Sequence, residues 1–250
     1  MGEISITMNG PSEWLIGAGI VLVLLLIAGP TRALDAQGLF AAVGLGLIVG
    51  VLGHWTYLLL LLSFLVLGHF VTKFKFDEKK RLGVVESSDG SRSWPNVLAN
   101  GGVVGLLSLI ALLIDDRSLI WPAVTASVAV AAADTFASEI GTTDNRVWMI
   151  TTMKRCNPGT NGGFSITGQF AAFMGSGLVI IFAAILSWLE SGEIGSSKYL
   201  ISLTIIGWLG CQLDSILGAL LENRGLIDKN SVNLASITIG AVAALVWVNR

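Results

Sequence analysis

The sequence predicts an all-α fold: a polytopic transmembrane helical bundle of about eight spans, with no soluble domain. Three observations predict it. Hydrophobic residues make up 53% of the 250 and charged residues only 13%, against about 25% charged in a soluble domain. Mean hydropathy is +0.76. Apolar runs close to the roughly 20 residues that cross a bilayer recur along the whole chain.

The predicted spans are 13–29, 38–53, 55–72, 97–114, 118–138, 166–189, 198–221 and 233–249. The first, around Trp14 to Ala28, has no Lys or Arg before it, so it reads as a retained helix and not as a secretory leader. The second and third form one apolar stretch interrupted at Gly53-His54. That stretch is too long for one straight helix, and a tight hairpin is expected; one long tilted helix, giving seven spans, is the alternative. In the fourth, Asn100 opens the run NGGVVGLLSLIALLI. The fifth contains the small-residue run TASVAVAAAD, which ends on Asp134. The sixth follows a glycine-rich loop. The seventh, IIGWLGCQLDSILGALL, carries Asp214 well inside it. The eighth closes the chain. Thirty glycines suit close helix packing in lipid. Trp14, Trp55, Trp121 and Trp247 fall near span ends and read as interfacial anchors. His54 and His69 read as interface residues as well.

Charge sets the orientation. Of the 15 Lys and Arg, twelve fall in the loops around 30–37, 73–96, 139–165 and 222–232. Only Arg117, Lys198 and Arg250 fall on the other side. The positive-inside rule places the twelve-charge side in the cytoplasm and both termini outside. The chain is expected to be a single integral membrane domain, 1–250, with functional cytoplasmic loops at 73–96 and 139–165. Short loops and the lack of a transit peptide point to a prokaryotic cell membrane. The net charge of −2 excludes a broadly basic nucleic-acid surface. Cys156 and Cys211 are too few for a disulfide framework. Asp115, Asp116 and Arg117 read as a solvated outer turn. No Ser-His-Asp set is present.

Acidic and amide residues inside apolar segments are the chemical signal, because an unpaired charge in hydrocarbon costs several kcal/mol. In DTFASEIG, Asp134, Ala137, Ser138 and Gly141 share one helix face. Glu139 points about 140° away from Asp134 on an ideal helix and joins it only if the helix unwinds. In DSILGALLE, Asp214, Gly218 and Glu222 stack at successive turns, with Ser215 beside them and Glu222 near the solvated end. In KRCNPGTNGG, Lys154 and Arg155 supply charge, and Gly159, Gly162 and Gly163 let backbone N–H groups turn toward an anion. Thr160 and Asn161 add donors. In the loop 76–102, Lys79, Lys80 and Arg81 suit nucleotide phosphates or anionic lipid headgroups. Arg92 lies near the membrane surface, and Asn96 and Asn100 sit one turn apart. Two carboxylates beside phosphate suggest Mg²⁺, which takes one or two protein carboxylates plus substrate oxygens.

VLANGG (97–102), ADTFASEIG (133–141), PGTNGGFS (158–165) and DSILGALLE (214–222) resemble, in the same order, segments of the membrane-protein family containing plant phytyl-phosphate kinase. The resemblance covers roughly 30–245. More distantly it extends to phytol kinase, dolichol kinase and the CTP-dependent phosphatidate cytidylyltransferases. The pattern Asp134, Ala137, Gly141, followed by Lys154-Arg155 and the glycine stretch, is similar to the CTP-binding motif of dolichol kinase. The resemblance implies phosphoryl transfer from CTP, or another nucleotide triphosphate, to an isoprenoid phosphate lipid. Asp134, Asp214 and Asn100 are then expected at the reaction, with Asp134, Glu139 and Asp214 around Mg²⁺. Lys79, Arg81, Arg92, Lys154, Arg155 and residues 159–163 are expected on the phosphates, and Ser138, Gly141, Ser215 and Gly218 against substrate. Two alternatives stay open: cytidylyl transfer making a CDP-lipid, and a transporter with coupling aspartates at broken helices. A homo-oligomer is also left open.

Overall fold

The computed structural model describes residues 11–85, 87–114 and 117–248. Asp115 and Asp116 of the expected outer turn, and Arg250 of the charge balance, lie outside them. Seven helices among the described residues are long and apolar enough to cross a membrane. A shorter apolar stretch, Pro11–Leu26, begins α1 (Pro11–Thr31).

The chain reverses at His54. Helix α2 (Ala36–Leu47) starts on Asp35, whose Oδ1 accepts from the Gly38 N–H at 2.6 Å, and continues as a π-helix over Ile48–Gly53. His54 then takes an extended backbone, and its Nδ1 accepts from the Thr56 N–H, capping α3 (Trp55–Lys73). The stretch 38–72 is therefore two helices. A wide π-turn beside an N-cap accomplishes the reversal. His54 is fully buried; its Nε2 lies 3.4 Å from Glu190 Oε1 and 3.9 Å from Glu13 Oε2, both at helix ends. Trp121 departs from the expected interfacial anchor. It is buried, stacks on Tyr57 at 5.6 Å between ring centroids, and donates from Nε1 to Ser187 Oγ.

Lys75, in the left-handed region at φ 49°, turns the chain into the short helix α4 (Phe76–Arg81). Helix α5 (Trp94–Ala111) follows. Helix α6 (Trp121–Gly141) is the hub of the bundle: every residue from Trp121 to Ala133 is buried. Around it pack α3, α7 (Ile166–Ser191), α8 (Ser197–Leu220) and α9 (Lys229–Val248). Small residues make this possible. A Cβ on Gly207 would collide with Ala129 and Ser176, and Cβ atoms on Gly210 and Gly240 would collide with Val130.

The loop after α6 is ordered by a three-stranded antiparallel sheet, with strand order β2-β1-β3. Its strands are β1 (Val147–Met149), β2 (Arg155–Cys156) and β3 (Gly163–Phe164). Val147 pairs with Cys156, and Met149 with Gly163. Strands this short leave no periodic signature in the sequence.

Candidate active site

Helix α6 is buried until Asp134, the first half-buried residue after the run of small side chains. That break is where the site begins. Asp214 on α8 comes within hydrogen-bonding reach of Asp134, so the two carboxyls meet across the α6–α8 contact. Asp214 Oδ2 accepts from Ser236 Oγ at 2.9 Å. With its amide turned to donate, Asn233 also reaches Asp214 Oδ2, at 3.3 Å, and the Lys229 carbonyl at 3.1 Å. Lys229 lies close enough to Asp214 and Glu222 to act on both electrostatically.

Two cavities share this wall. The larger, about 1000 Å³ and open to solvent, is lined by Asp134, Ser138, Gly141, Asp214, Ser215, Gly218, Glu222 and residues 159–163. The smaller, about 520 Å³, is lined by Arg92, Asn96, Asn100 and Asn233. Asp134, Ser138, Glu139 and Lys229 line both. Glu222, expected in solvent, is half-buried on the wall of the larger cavity.

The glycine-rich loop is seated against α8. Gly162, at φ 78°, lies so close that a Cβ would meet the Ala219 Cβ and, at 2.7 Å, the Ser215 carbonyl. Gly218 faces Asn161 and Gly162, and Asn223 Nδ2 donates to the Asn161 carbonyl at 3.0 Å. Gly159 has φ 80° and abuts Val84. The loop is partly self-satisfied. The Thr160 N–H and hydroxyl both donate to the Asn157 carbonyl, and the Gly163 N–H donates to the Thr160 carbonyl. Those two N–H groups are therefore not turned toward an anion. Asp144 ties the other end of the loop down. Hydrogen bonds from the Arg146 N–H and the Thr167 hydroxyl hold its carboxyl below the usual range. Gly141 has a packing role, with Gly168 so close that a Cβ would lie 3.1 Å from its Cα.

Several expected residues have other partners or lie off the cavities, and Glu139, though on the wall of both, is one of the former. Helix α6 does not unwind, so Glu139 is not delivered to the Asp134–Asp214 pair. Instead, Glu139 Oε2 accepts from Lys79 Nζ at 2.5 Å, and Oε1 accepts from Thr72 Oγ1 at 2.9 Å. Among the described residues, no group of three metal-ligand side chains at this site has its ligand atoms within 4.8 Å of one another. Lys79 is buried and also donates to the Val71 and Thr72 carbonyls, so its charge is taken up by Glu139 and the end of α3. Lys154, Arg155 and Arg81 line neither cavity, and Arg155 lies over the Trp148 ring at 4.8 Å. These side chains are long and well hydrated, so the exposed face of the sheet and of α4 suits them.

Lys229, Asn233 and Ser236 carry weight that the sequence reading did not assign. They recur at i, i+4 and i+7 along KNSVNLAS and form a polar stripe on one face of α9. With α9 drawn from 233, Lys229 reads as loop and the stripe is lost.

The family described as "Integral membrane protein DUF92" matches residues 19–241. The chain belongs to this family. It is 32% identical over 237 residues to an uncharacterised membrane protein of Methanocaldococcus jannaschii, covering 94% of both chains. It is 28% identical over 275 residues to Protein PGR of Arabidopsis thaliana, covering 92% of this chain and 95% of that one. It is 24% identical over 242 residues to Protein VTE6, chloroplastic, of the same plant, covering 93% and 71%. No solved structure matches. The resemblance read from the four motifs is borne out at the level of family, and so is the multi-pass helical membrane fold.

Proposed function

We propose that this chain transfers the terminal phosphoryl group of a nucleoside triphosphate, CTP in first place, to an isoprenoid monophosphate, giving an isoprenoid diphosphate at the cytoplasmic leaflet. The observation that carries the reading is the meeting of Asp134 and Asp214 on a cavity wall that the glycine-rich loop also lines. Family membership and the relatedness to Protein VTE6 support it.

Two facing carboxylates repel each other and call for a cation or a proton. The pair suits Mg²⁺, a hard ion that completes its shell with water and phosphate oxygens. Bound there, Mg²⁺ would neutralise charge on the transferring phosphoryl group. Ser236 and Asn233 hold Asp214 in place for that role. Residues 159–163 are assigned to the nucleotide phosphates in the larger cavity. Arg92, Asn96 and Asn100 are assigned to the acceptor phosphate in the smaller one. Ser138 and Lys229, on the shared wall, flank the path between them. The acceptor is already an anion, so the residues need only align the two phosphates and offset their charge.

The test uses purified protein in detergent with Mg²⁺, γ-labelled CTP or ATP, and phytyl or geranylgeranyl monophosphate. Label should appear in the lipid phase. Asp134→Asn and Asp214→Asn should each lower that rate on the order of 100-fold or more, with an unchanged thermal midpoint. Pyrophosphate release with a CDP-lipid would show cytidylyl transfer instead. Near-normal turnover in Asp134→Asn would remove that residue from the reaction.

A further inference from the structure

The smaller polar cavity does not end at Asn100. Arg92, Asn96 and Asn100 also form one end of a third cavity, about 480 Å³, whose other lining residues are all apolar. Among them are Leu45 and Gly46 of α2, Leu58, Leu61 and Phe64 of α3, and Gly101 of α5. The third cavity in turn shares Leu24, Leu62 and Leu65 with an apolar cleft between α1 and α3. The outer walls of that cleft, including Ile16, Val23, Val66 and Phe70, expose large apolar surface.

A polar cavity, an apolar cavity and a lipid-facing cleft thus stand in a row. Arg92 sits at the first junction. Its guanidinium lies over the Phe64 ring at 4.7 Å, and a Cβ on Gly68 would collide with it. A guanidinium stacked on an aromatic ring at the edge of an apolar chamber offers charge to a head group and a hydrophobic face to the tail attached to it. The ligand chemistry that fits both sides of such a junction is an amphiphile: an anionic head on a long apolar chain.

We infer that the substrate's prenyl chain lies in the chamber between α2, α3 and α5, with its phosphate at Arg92, Asn96 and Asn100. The chain enters sideways from the bilayer through the cleft between α1 and α3. The inference rests on the proposed lipid-monophosphate acceptor and adds the route and seat of its tail.

The test uses the wild-type chain in nanodiscs with Mg²⁺, CTP and geranylgeranyl monophosphate carrying a diazirine at the tail end. Turnover and crosslinked peptides are read on the same sample. Crosslinks within 16–24, 42–46 or 58–65, suppressed by excess phytyl phosphate and not by excess phosphatidylglycerol, are expected. Turnover with crosslinks confined to the apolar α7–α8 cleft around Phe173 and Ile181 would overturn the route and leave the kinase standing. So would labelling that phosphatidylglycerol suppresses equally. Absence of both turnover and crosslinks would remove the acceptor reading itself, and the route with it. A filling substitution gives a second readout. Ala42→Phe should lower the ratio of kcat/KM for geranylgeranyl over dimethylallyl monophosphate by about tenfold or more. An unchanged ratio counts against the chamber.

Discussion

Lys79 shows how far a single residue's chemistry depends on its neighbours. Its ammonium is buried with Glu139 and the Val71 and Thr72 carbonyls from the last turn of α3, of which Val71 also accepts from the Phe74 N–H. Removing the cation strands a half-buried carboxylate and takes a donor from the Thr72 carbonyl. Lys79→Met is expected to cost about 3 kcal/mol, read as a lowered midpoint in detergent-resistant unfolding, and Glu139→Gln should recover part of that loss in the double variant. A purely phosphate-binding lysine would instead raise the nucleotide KM at unchanged stability. Asp134 and Asp214 were legible from sequence because a carboxylate in an apolar run has few structural uses. Glu139 could join them only on an unwound helix, and α6 runs unbroken through it. An intact helix turns it toward Lys79 instead.

At the scale of elements, the glycine-rich loop is held by shape. Gly162 combines a positive φ with contact against Ser215 and Ala219, whereas Gly225, at φ 70°, has nothing within 4 Å of its would-be Cβ. Gly162→Ala should therefore push the loop off α8 and lower kcat/KM for the nucleotide on the order of 100-fold. Gly225→Ala introduces only the left-handed backbone strain, about 1 kcal/mol, and should keep turnover within about twofold. Equal effects in the two variants would mean that backbone strain, and not seating on α8, explains the loss. The α2–α3 hairpin was readable at Gly53-His54 because a chain break needs a local residue signal. The small sheet and α4 were not, since elements of two to six residues are fixed by their tertiary contacts.

Across the whole molecule, the ends of α3, α6 and α8 and the starts of α5, α7 and α9 gather at one pole with both polar cavities, while Glu13, His54 and Glu190 meet at the opposite end of α3. The two cysteines report on this polarity. Cys211 is buried in α8, whereas Cys156 lies on β2 outside the spans. Burial pushes the Cys156 thiol above the ordinary thiol range, so less thiolate is present at a given pH. A membrane-impermeant maleimide should label Cys156 only from the cytoplasmic side. The rate should rise with pH and reach half its maximum at a higher pH than a free thiol does. Labelling from the outer side would invert the charge-based orientation. By itself the sequence determined that this is a multi-pass helical membrane protein, where most spans lie, and that Asp134 and Asp214 are unusual, because composition, periodicity and the cost of charge in hydrocarbon are properties of local segments. Only the tertiary structure decided which cations reach the site. Lys229 and Arg92 do, whereas Lys154, Arg155 and Arg81 do not, because that depends on where helices distant in sequence bring their ends together.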